Sequence, residues 1–104
     1  MTILRMTAEG AQRRIRELAI ADTWNIGLSS HAKERMPQRE IFIQDLYEIL
    51  RTGHCDDAPV RTEKGDWKCK MTKKIKGQRL AGAVTVIMGN QRLHVVTVEW
   101  EDEA

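Results

Sequence analysis

The chain has few of the residues that stabilise small secreted domains or bind structural metals. It contains only two cysteines, Cys55 and Cys69, among 104 residues. Two cysteines do not make a disulfide framework, and no C-x-x-C or H-x-x-x-H spacing typical of zinc sites is present. We therefore expect both cysteines to be reduced, and we expect neither a metal nor a cofactor.

Long apolar runs are also missing from the sequence. No segment approaches the roughly 20 apolar residues of a membrane helix, and the N-terminus has no signal-peptide core. These absences predict a cytoplasmic protein that does not associate with membranes. A length of 104 residues with 41% hydrophobic residues fits one domain with a single two-layer core.

Charge is nearly balanced overall but unevenly distributed. The formal net charge is +2, yet residues 61–79 contain eight Lys or Arg residues against two acids, Glu63 and Asp66. Apolar and cationic residues alternate there from Trp67 to Lys70, as in a strand with one apolar and one cationic face. A cationic sheet face predicts binding to phosphates, and hence to nucleic acid.

The predicted elements run in the order helices first and sheet second. Helices are expected within residues 7–52 and strands within residues 60–100, so that residues 1–104 form one domain. This order predicts an α+β fold in which N-terminal helices pack on a C-terminal antiparallel β-meander.

Three helices are predicted in the first half of the chain. Thr7 is suited to cap the first, and a short helix over residues 31–36 should stop before Pro37, because the residue before proline avoids helical geometry. The third should span residues 41–52 and end at Gly53. Its predicted inner face comprises Ile43, Leu46, Tyr47 and Leu50.

Two turns predict the register of the last three strands. Two-residue hairpin loops at Lys76-Gly77 and Gly89-Asn90 would pair Lys68 with Thr85, and Thr85 with His94. One face of this sheet is apolar and suited to pack against the helices, whereas the other carries most of the positive charge. The predicted cationic face comprises Lys68, Lys70, Thr72, Lys74, Arg79, Thr85, Arg92 and His94, with Ala81, Ala83, Val96, Val98 and Trp100 among them.

A motif in the middle of the chain carries a family resemblance. The chain resembles, over residues 28–100, a widespread bacterial family of unknown function with the signature H-A-x-x-R-M, then R, then a helix ending in L-R-x-G. The matching residues are His31-Ala32-Lys33-Glu34-Arg35-Met36, then Arg39, then Leu50-Arg51-Thr52-Gly53.

The order of elements is also similar to that of the MqsR, RelE and BrnT toxins of toxin–antitoxin systems. Thr85-Val86-Ile87 and Val95-Val96-Thr97-Val98 resemble the last two strands of MqsR. The resemblance implies a RelE-like fold, RNA as a partner, an antitoxin protein as a second partner, and endoribonuclease activity. The tyrosine that it places near the start of the penultimate strand is represented here by Ala81 or its neighbours.

Candidate catalytic residues follow from the chemistry of metal-independent RNA cleavage. This reaction needs a base for the 2′-hydroxyl, an acid for the leaving 5′-oxygen, and cations for the phosphorane. Histidine titrates near neutral pH, which makes His94 the first candidate, with Lys68 and Arg79 beside the phosphate. The further predicted RNA-binding residues are Lys70, Lys74, Arg35, Arg39, Arg92 and Trp100, the last as a stacking platform for a base.

A rival site involves the helix that contains the family motif. His31 and Arg35 lie one turn apart, so His31 is a second candidate acid or base, with Arg35 or Arg39 as its phosphate partner. The structural alternative is that His31 caps the helix start and Arg35 bonds the carbonyls that end a helix. Both interpretations stay open from the sequence.

Two classes of function therefore remain. The first is an RNA-binding protein with metal-independent endoribonuclease activity of the toxin–antitoxin type. The second is a non-catalytic module derived from a toxin fold that binds nucleic acid or protein, in which His94, Trp100 and the lysines have structural or solvating roles. The acids after the last strand are expected to screen the cationic face within the chain, and they are Glu99, Glu101, Asp102 and Glu103.

Overall fold

The computed structural model describes residues 5–103 and confirms the α+β order of the elements. Three helices and a short 3-10 turn come before four of the five strands. The elements are α1 (Ala8–Ala21), the 3-10 turn (Thr23–Asn25), β1 (Ile26–Leu28), α2 (Ser30–Gln38), α3 (Ile43–Thr52), β2 (Val60–Arg61), β3 (Trp67–Ile75), β4 (Arg79–Ile87) and β5 (Leu93–Trp100).

The first two helices begin at side-chain caps. Thr7 caps α1 as predicted, because Gly10 N donates to Thr7 Oγ1 at 3.0 Å. Helix α2 begins at Ser30, since the Ser29 hydroxyl accepts from Ala32 N at 2.9 Å. It continues through Pro37, so the predicted stop at that residue is wrong. Proline lacks the N–H that would bond the carbonyl of Lys33, and the helix ends only one residue later, at Gln38.

Helix α3 differs from the prediction in its start and in its inner face. It begins at Ile43, and the Asp45 carboxylate accepts from Phe42 N at 2.8 Å. Ile43 is the first residue of the helix and is 40% exposed, and Tyr47 is only half-buried. The buried residues of α3 are Leu46, Ile49 and Leu50.

The sheet is mixed, not purely antiparallel. Its strand order is β1-β5-β4-β3-β2, and β1 pairs in parallel with β5. Strand β1 therefore lies outside residues 60–100, where the sequence predicts all strands. Strands β2 to β5 pair antiparallel with their neighbours, as the predicted meander requires.

Both predicted hairpin registers are wrong by one residue. Ile75 pairs with Arg79, so the first loop has the three residues 76–78, all with positive φ. Met88 N donates to Arg92 O at 2.8 Å, so the second loop also has three residues, 89–91. Strand β5 additionally contains a bulge at Val96, because Thr85 pairs with Val95 whereas Val84 pairs with Thr97.

These shifts invert the predicted orientation of β4. Its buried side chains are those of Ala81, Ala83, Thr85 and Ile87, and they lie on the side packed against the helices, here called the core face. The opposite side, here called the outer face, carries Leu80, Gly82, Val84 and Val86 of β4. The bulge likewise turns the end of β5 over, so that Val98 and Trp100 are buried in the core.

Helix α2 lies along the part of β5 that extends beyond the short strand β1. The Ser29 hydroxyl donates to Val96 O at 2.6 Å, and Arg39 Nη1 donates to Val98 O at 2.6 Å. In return, Trp100 Nε1 donates to Arg39 O at 2.8 Å. Side chains of α2 and its flanks thus satisfy strand carbonyls that would otherwise lie at an open edge.

Candidate nucleic-acid interface

Lys68 and His94 lie in one row across the outer face. Lys68 pairs with Val86, and Val86 pairs with His94. Two strand spacings separate the lysine from the histidine, which is roughly 10 Å between Cα atoms. The predicted member of this row, Thr85, is instead fully buried on the core face, because the register is shifted by one residue.

A shallow recess borders His94 on the outer face. Its walls come from the loop between β2 and β3 and from the ends of β4 and β5. The residues that line it are Thr62, Glu63, Lys64, Asp66, Val86, Met88 and His94. Among residues 5–103, no side chain makes a hydrogen bond with the imidazole of His94 or an ion pair with Lys68, so both groups can meet a ligand.

Lys70 also lies on the outer face, but acids already bind it. Its Nζ is 2.9 Å from a carboxylate oxygen of Glu101 and 3.6 Å from one of Glu99. The hydrogen bond to Glu101 is the main reason that the pKa of Lys70 is raised. Gly82 makes this pair possible, because a Cβ there would overlap the Glu101 carboxylate and lie 2.7 Å from Lys70 Cδ.

Lys74 and Arg79 are separated by the corrected register. Lys74 pairs with Leu80 and is exposed on the outer face, with no ion pair among the described residues. Arg79 pairs with Ile75 and therefore lies at the rim of the core face, contrary to the prediction. Its guanidinium is 3.0 Å from both Asp102 and Glu103, and these bonds raise the pKa of Arg79 and lower that of Asp102.

The predicted stacking residue Trp100 does not lie on the outer face. It is only 5% exposed, and Arg79 covers its ring with Cζ 4.2 Å from the centroid. The predicted position is wrong because the sequence gives no sign of the bulge at Val96, which reverses the alternation of β5. Of the four C-terminal acids predicted to screen the cationic face, Glu99 and Glu101 bind Lys70 there, whereas Asp102 and Glu103 bind Arg79 at the rim of the core face.

The structural roles predicted for His31 and Arg35, as helix cap and as donor to backbone carbonyls, belong to other residues. Ser29, not His31, caps α2, and Arg39, not Arg35, bonds the neighbouring strand carbonyl. His31 is exposed, and Arg35 Nη1 donates to Gln38 Oε1 at 3.2 Å. Arg35 Nε is buried without a hydrogen-bond partner within residues 5–103. His31 and Arg35 therefore make none of the hydrogen bonds that attach α2 to the sheet. Arg39, the predicted phosphate partner, makes one of them.

Arg92 lies next to a residue that the sequence gives no reason to select. Its Nη2 donates to Trp24 O at 3.0 Å, and its Cζ is 5.3 Å from the centroid of the Trp24 ring. Trp24 is 74% exposed. Its position in a connecting segment indicates neither exposure nor proximity to the outer face, so only the pairing of β1 with β5 reveals this contact.

The cysteines and the remaining acids form no metal centre in the part of the chain that the structure describes. No group of three or more His, Cys, Asp or Glu side chains comes together there. Cys55 and Cys69 are free and buried, and burial raises the pKa of both thiols. Within the same residues, no helix is both long enough and apolar enough to cross a membrane.

Fold and site together define a small α+β domain whose mixed sheet is covered by helices on one face and carries lysines and a histidine on the other. The chain belongs to the family described as "Domain of unknown function (DUF4258)", whose model matches residues 28–103. This match includes α2, α3 and strands β2 to β5, but it includes only Leu28 of β1 and neither α1 nor Trp24. No curated protein and no solved structure matches the chain.

Proposed function

We propose that this protein binds single-stranded RNA on the outer face and cleaves it without a metal, as a ribonuclease of the toxin–antitoxin type. The observation that carries the proposal is the row of Lys68, Val86 and His94, in which a cation and an imidazole flank a small apolar floor. The RelE-like fold and an antitoxin partner belong to the same proposal and rest on the sequence resemblance.

The row offers the groups that phosphodiester cleavage needs. Lys68 supplies positive charge for the phosphate, and the imidazole of His94 supplies a group that can donate or accept a proton. Lys74 extends the cationic surface toward the far end of β3 for a neighbouring phosphate. Single-stranded RNA is the preferred ligand because its bases and backbone can both lie on an open sheet face.

Binding is tested by the dependence of RNA affinity on salt. Two phosphate contacts, at Lys68 and Lys74, predict a slope of about −1.4 in a plot of log affinity against log salt concentration, at about −0.7 per contact. Lys68→Ala and Lys74→Ala should each reduce the slope by about one contact. Lys33→Ala, which removes an exposed lysine from α2, is the matched control and should leave the slope unchanged. Affinity that does not change with salt would rule out the outer face as a phosphate-binding surface.

Cleavage is tested separately from binding. His94→Gln should retain RNA affinity and lower the cleavage rate by about 10²- to 10⁴-fold, the usual contribution of general acid–base catalysis. Products should carry 2′,3′-cyclic phosphates, and a chelator should not slow the reaction. His31→Gln is the control at the rival position on α2. If His94→Gln cleaves at the wild-type rate, the catalytic assignment of His94 is wrong.

A second candidate function is a non-catalytic binding module. It is favoured by the absence of any described residue that orients the imidazole of His94, because catalytic histidines are usually held by a hydrogen bond. The binding of Glu99 and Glu101 to Lys70 also demonstrates that this face accepts carboxylates, so an acidic protein segment would fit it. RNA binding without cleavage by the wild type, or binding of an acidic protein in place of RNA, would support this module.

A further inference from the structure

Trp24 is a large aromatic residue that the fold holds in an exposed position. Its side chain is 74% exposed, although tryptophan is usually mostly buried in proteins. Its main chain is fixed, because Trp24 N donates to Asp22 Oδ1 at 2.9 Å and its carbonyl accepts from Arg92. The next residue, Asn25, donates to Leu18 O at 2.9 Å and ties the segment to α1. The exposed ring is therefore presented by a rigid segment.

A small niche, with room for a Cβ, lies at Gly27 near Arg92. Gly27 pairs directly with His94, so its missing side chain would project from the outer face. The position of a Cβ at this residue is 3.9 Å from both Arg92 Nη2 and His94 Nδ1. The φ of Gly27 is not positive, and a Cβ would make only ordinary contacts, so the backbone does not require glycine. What glycine leaves is space between a guanidinium and an imidazole.

We propose that Trp24, Arg92 and His94 form a subsite for one unpaired nucleotide. The base stacks on the exposed Trp24 ring, and its phosphate lies over the niche at Gly27, within reach of Arg92 and His94. Arg92 suits this position because a guanidinium can bind a phosphate through two N–H groups while it remains over an aromatic ring.

The subsite rests on the proposed function and deepens it, because it states how the RNA is placed. It extends the row of Lys68, Val86 and His94 by one strand, to Gly27 of β1. A strand of RNA laid along this row would contact Lys68 at one end and Trp24 at the other. In this order of contacts, the phosphate that neighbours the stacked base lies at His94.

The test compares Trp24→Ala with Trp24→Phe in binding to a short single-stranded RNA at low salt. Loss of one stacked base predicts that Trp24→Ala weakens binding roughly 5- to 150-fold, whereas Trp24→Phe retains most of the affinity. Phe42→Ala is the matched control, because Phe42 is also an exposed aromatic residue, 58% exposed, with Lys76 Nζ 4.1 Å from its ring centroid. It should bind RNA like the wild type.

Two further measurements separate stacking from a general loss of structure. Against an abasic oligonucleotide of the same length, wild type and Trp24→Ala should bind equally, because no base is left to stack. Gly27→Val should weaken binding of both ligands, because its side chain fills the niche for the phosphate. Circular dichroism and urea unfolding verify that each variant is folded.

The outcomes distinguish this inference from the proposed function. If Trp24→Ala binds RNA like the wild type while Lys68→Ala binds more weakly, the subsite is wrong and RNA binding by the outer face stands. If Trp24→Ala weakens binding to normal and abasic oligonucleotides equally, stacking is also refuted. If the wild type binds no RNA even at low salt, both proposals fall.

Discussion

The bond from Arg39 to β5 gives the sharpest test of how α2 is attached to the sheet. Arg39 is half-buried, and its Nη1 donates to Val98 O at 2.6 Å. Arg39→Met keeps much of the aliphatic stem but removes the donor. A hydrogen bond that involves a charged group contributes about 1.5–3 kcal/mol, and a carbonyl that loses its partner adds a desolvation cost. We therefore expect the free energy of unfolding to fall by about 2–3 kcal/mol.

The assay is urea unfolding followed by circular dichroism. With a slope of about 1–2 kcal/mol per molar urea for a protein of this size, the midpoint should fall by about 1–3 M while the slope stays constant. Lys33→Met, at an exposed position of the same helix, should change the free energy by less than about 0.5 kcal/mol. The reasoning is refuted if Arg39→Met unfolds at the wild-type midpoint. A loss of RNA affinity without loss of stability would restore the RNA-binding role that the sequence predicts for Arg39.

Two other predictions concern the core and the outer face. Gly82→Val should cost no more than about 1 kcal/mol in urea unfolding, because Lys70 Cδ and the Glu101 carboxylate, which its side chain meets, end flexible side chains that can move aside. Gly89→Val, where a Cβ meets nothing within 4 Å, is its control, and a loss of several kcal/mol in Gly82→Val alone would contradict the packing described. Cys55 and Cys69 should react slowly with an aromatic disulfide reagent at pH 8, because burial raises the pKa of both thiols. We expect the reaction of the native protein to be at least about tenfold slower than that of the urea-unfolded protein. Equally fast reaction of the two would contradict the burial of the cysteines.

The sequence predicts most helices and strands because their signals are local. Thr7 is a recognisable cap, and the alternation of Trp67, Lys68, Cys69 and Lys70 predicts the two faces of β3 correctly. These features depend on residues a few positions apart, so no knowledge of the tertiary fold is needed. The α+β class follows from the same local signals.

The orientation of β4 is wrong because its sequence supports either face. From 79 to 87, alanine and isoleucine occupy odd positions whereas leucine and valine occupy even positions, so both faces are apolar and hydrophobicity does not identify the core face. Loop length decides, and both loops gain a third residue through non-glycine residues at positive φ, Gln78 at 81° and Gln91 at 64°. Glutamine rarely adopts this conformation, so a sequence pattern favours the shorter loop.

The register errors also explain why the sequence predicts only some residues of the candidate site correctly. Lys68 and His94 stay on one face because the two register errors cancel between β3 and β5. Arg79 and Trp100 do not, since one depends on the β4 register and the other on the bulge at Val96. The sequence does not identify Trp24 as a site residue, because its contact with Arg92 joins residues 68 positions apart in the sequence.

The docking of α2 along β5 also has a consequence for solubility. Residues Leu93–Trp100 are rich in β-branched side chains, contain no proline and carry a single carboxylate, a composition typical of segments that assemble into intermolecular sheets. With Ser29 and Arg39 bound to its carbonyls, this strand offers other chains no template, and the sheet ends in strands of only three and two residues. During synthesis, however, α2 emerges long before β5. The helix is therefore already available when this aggregation-prone strand is made. We expect this order of elements to limit aggregation of the nascent chain.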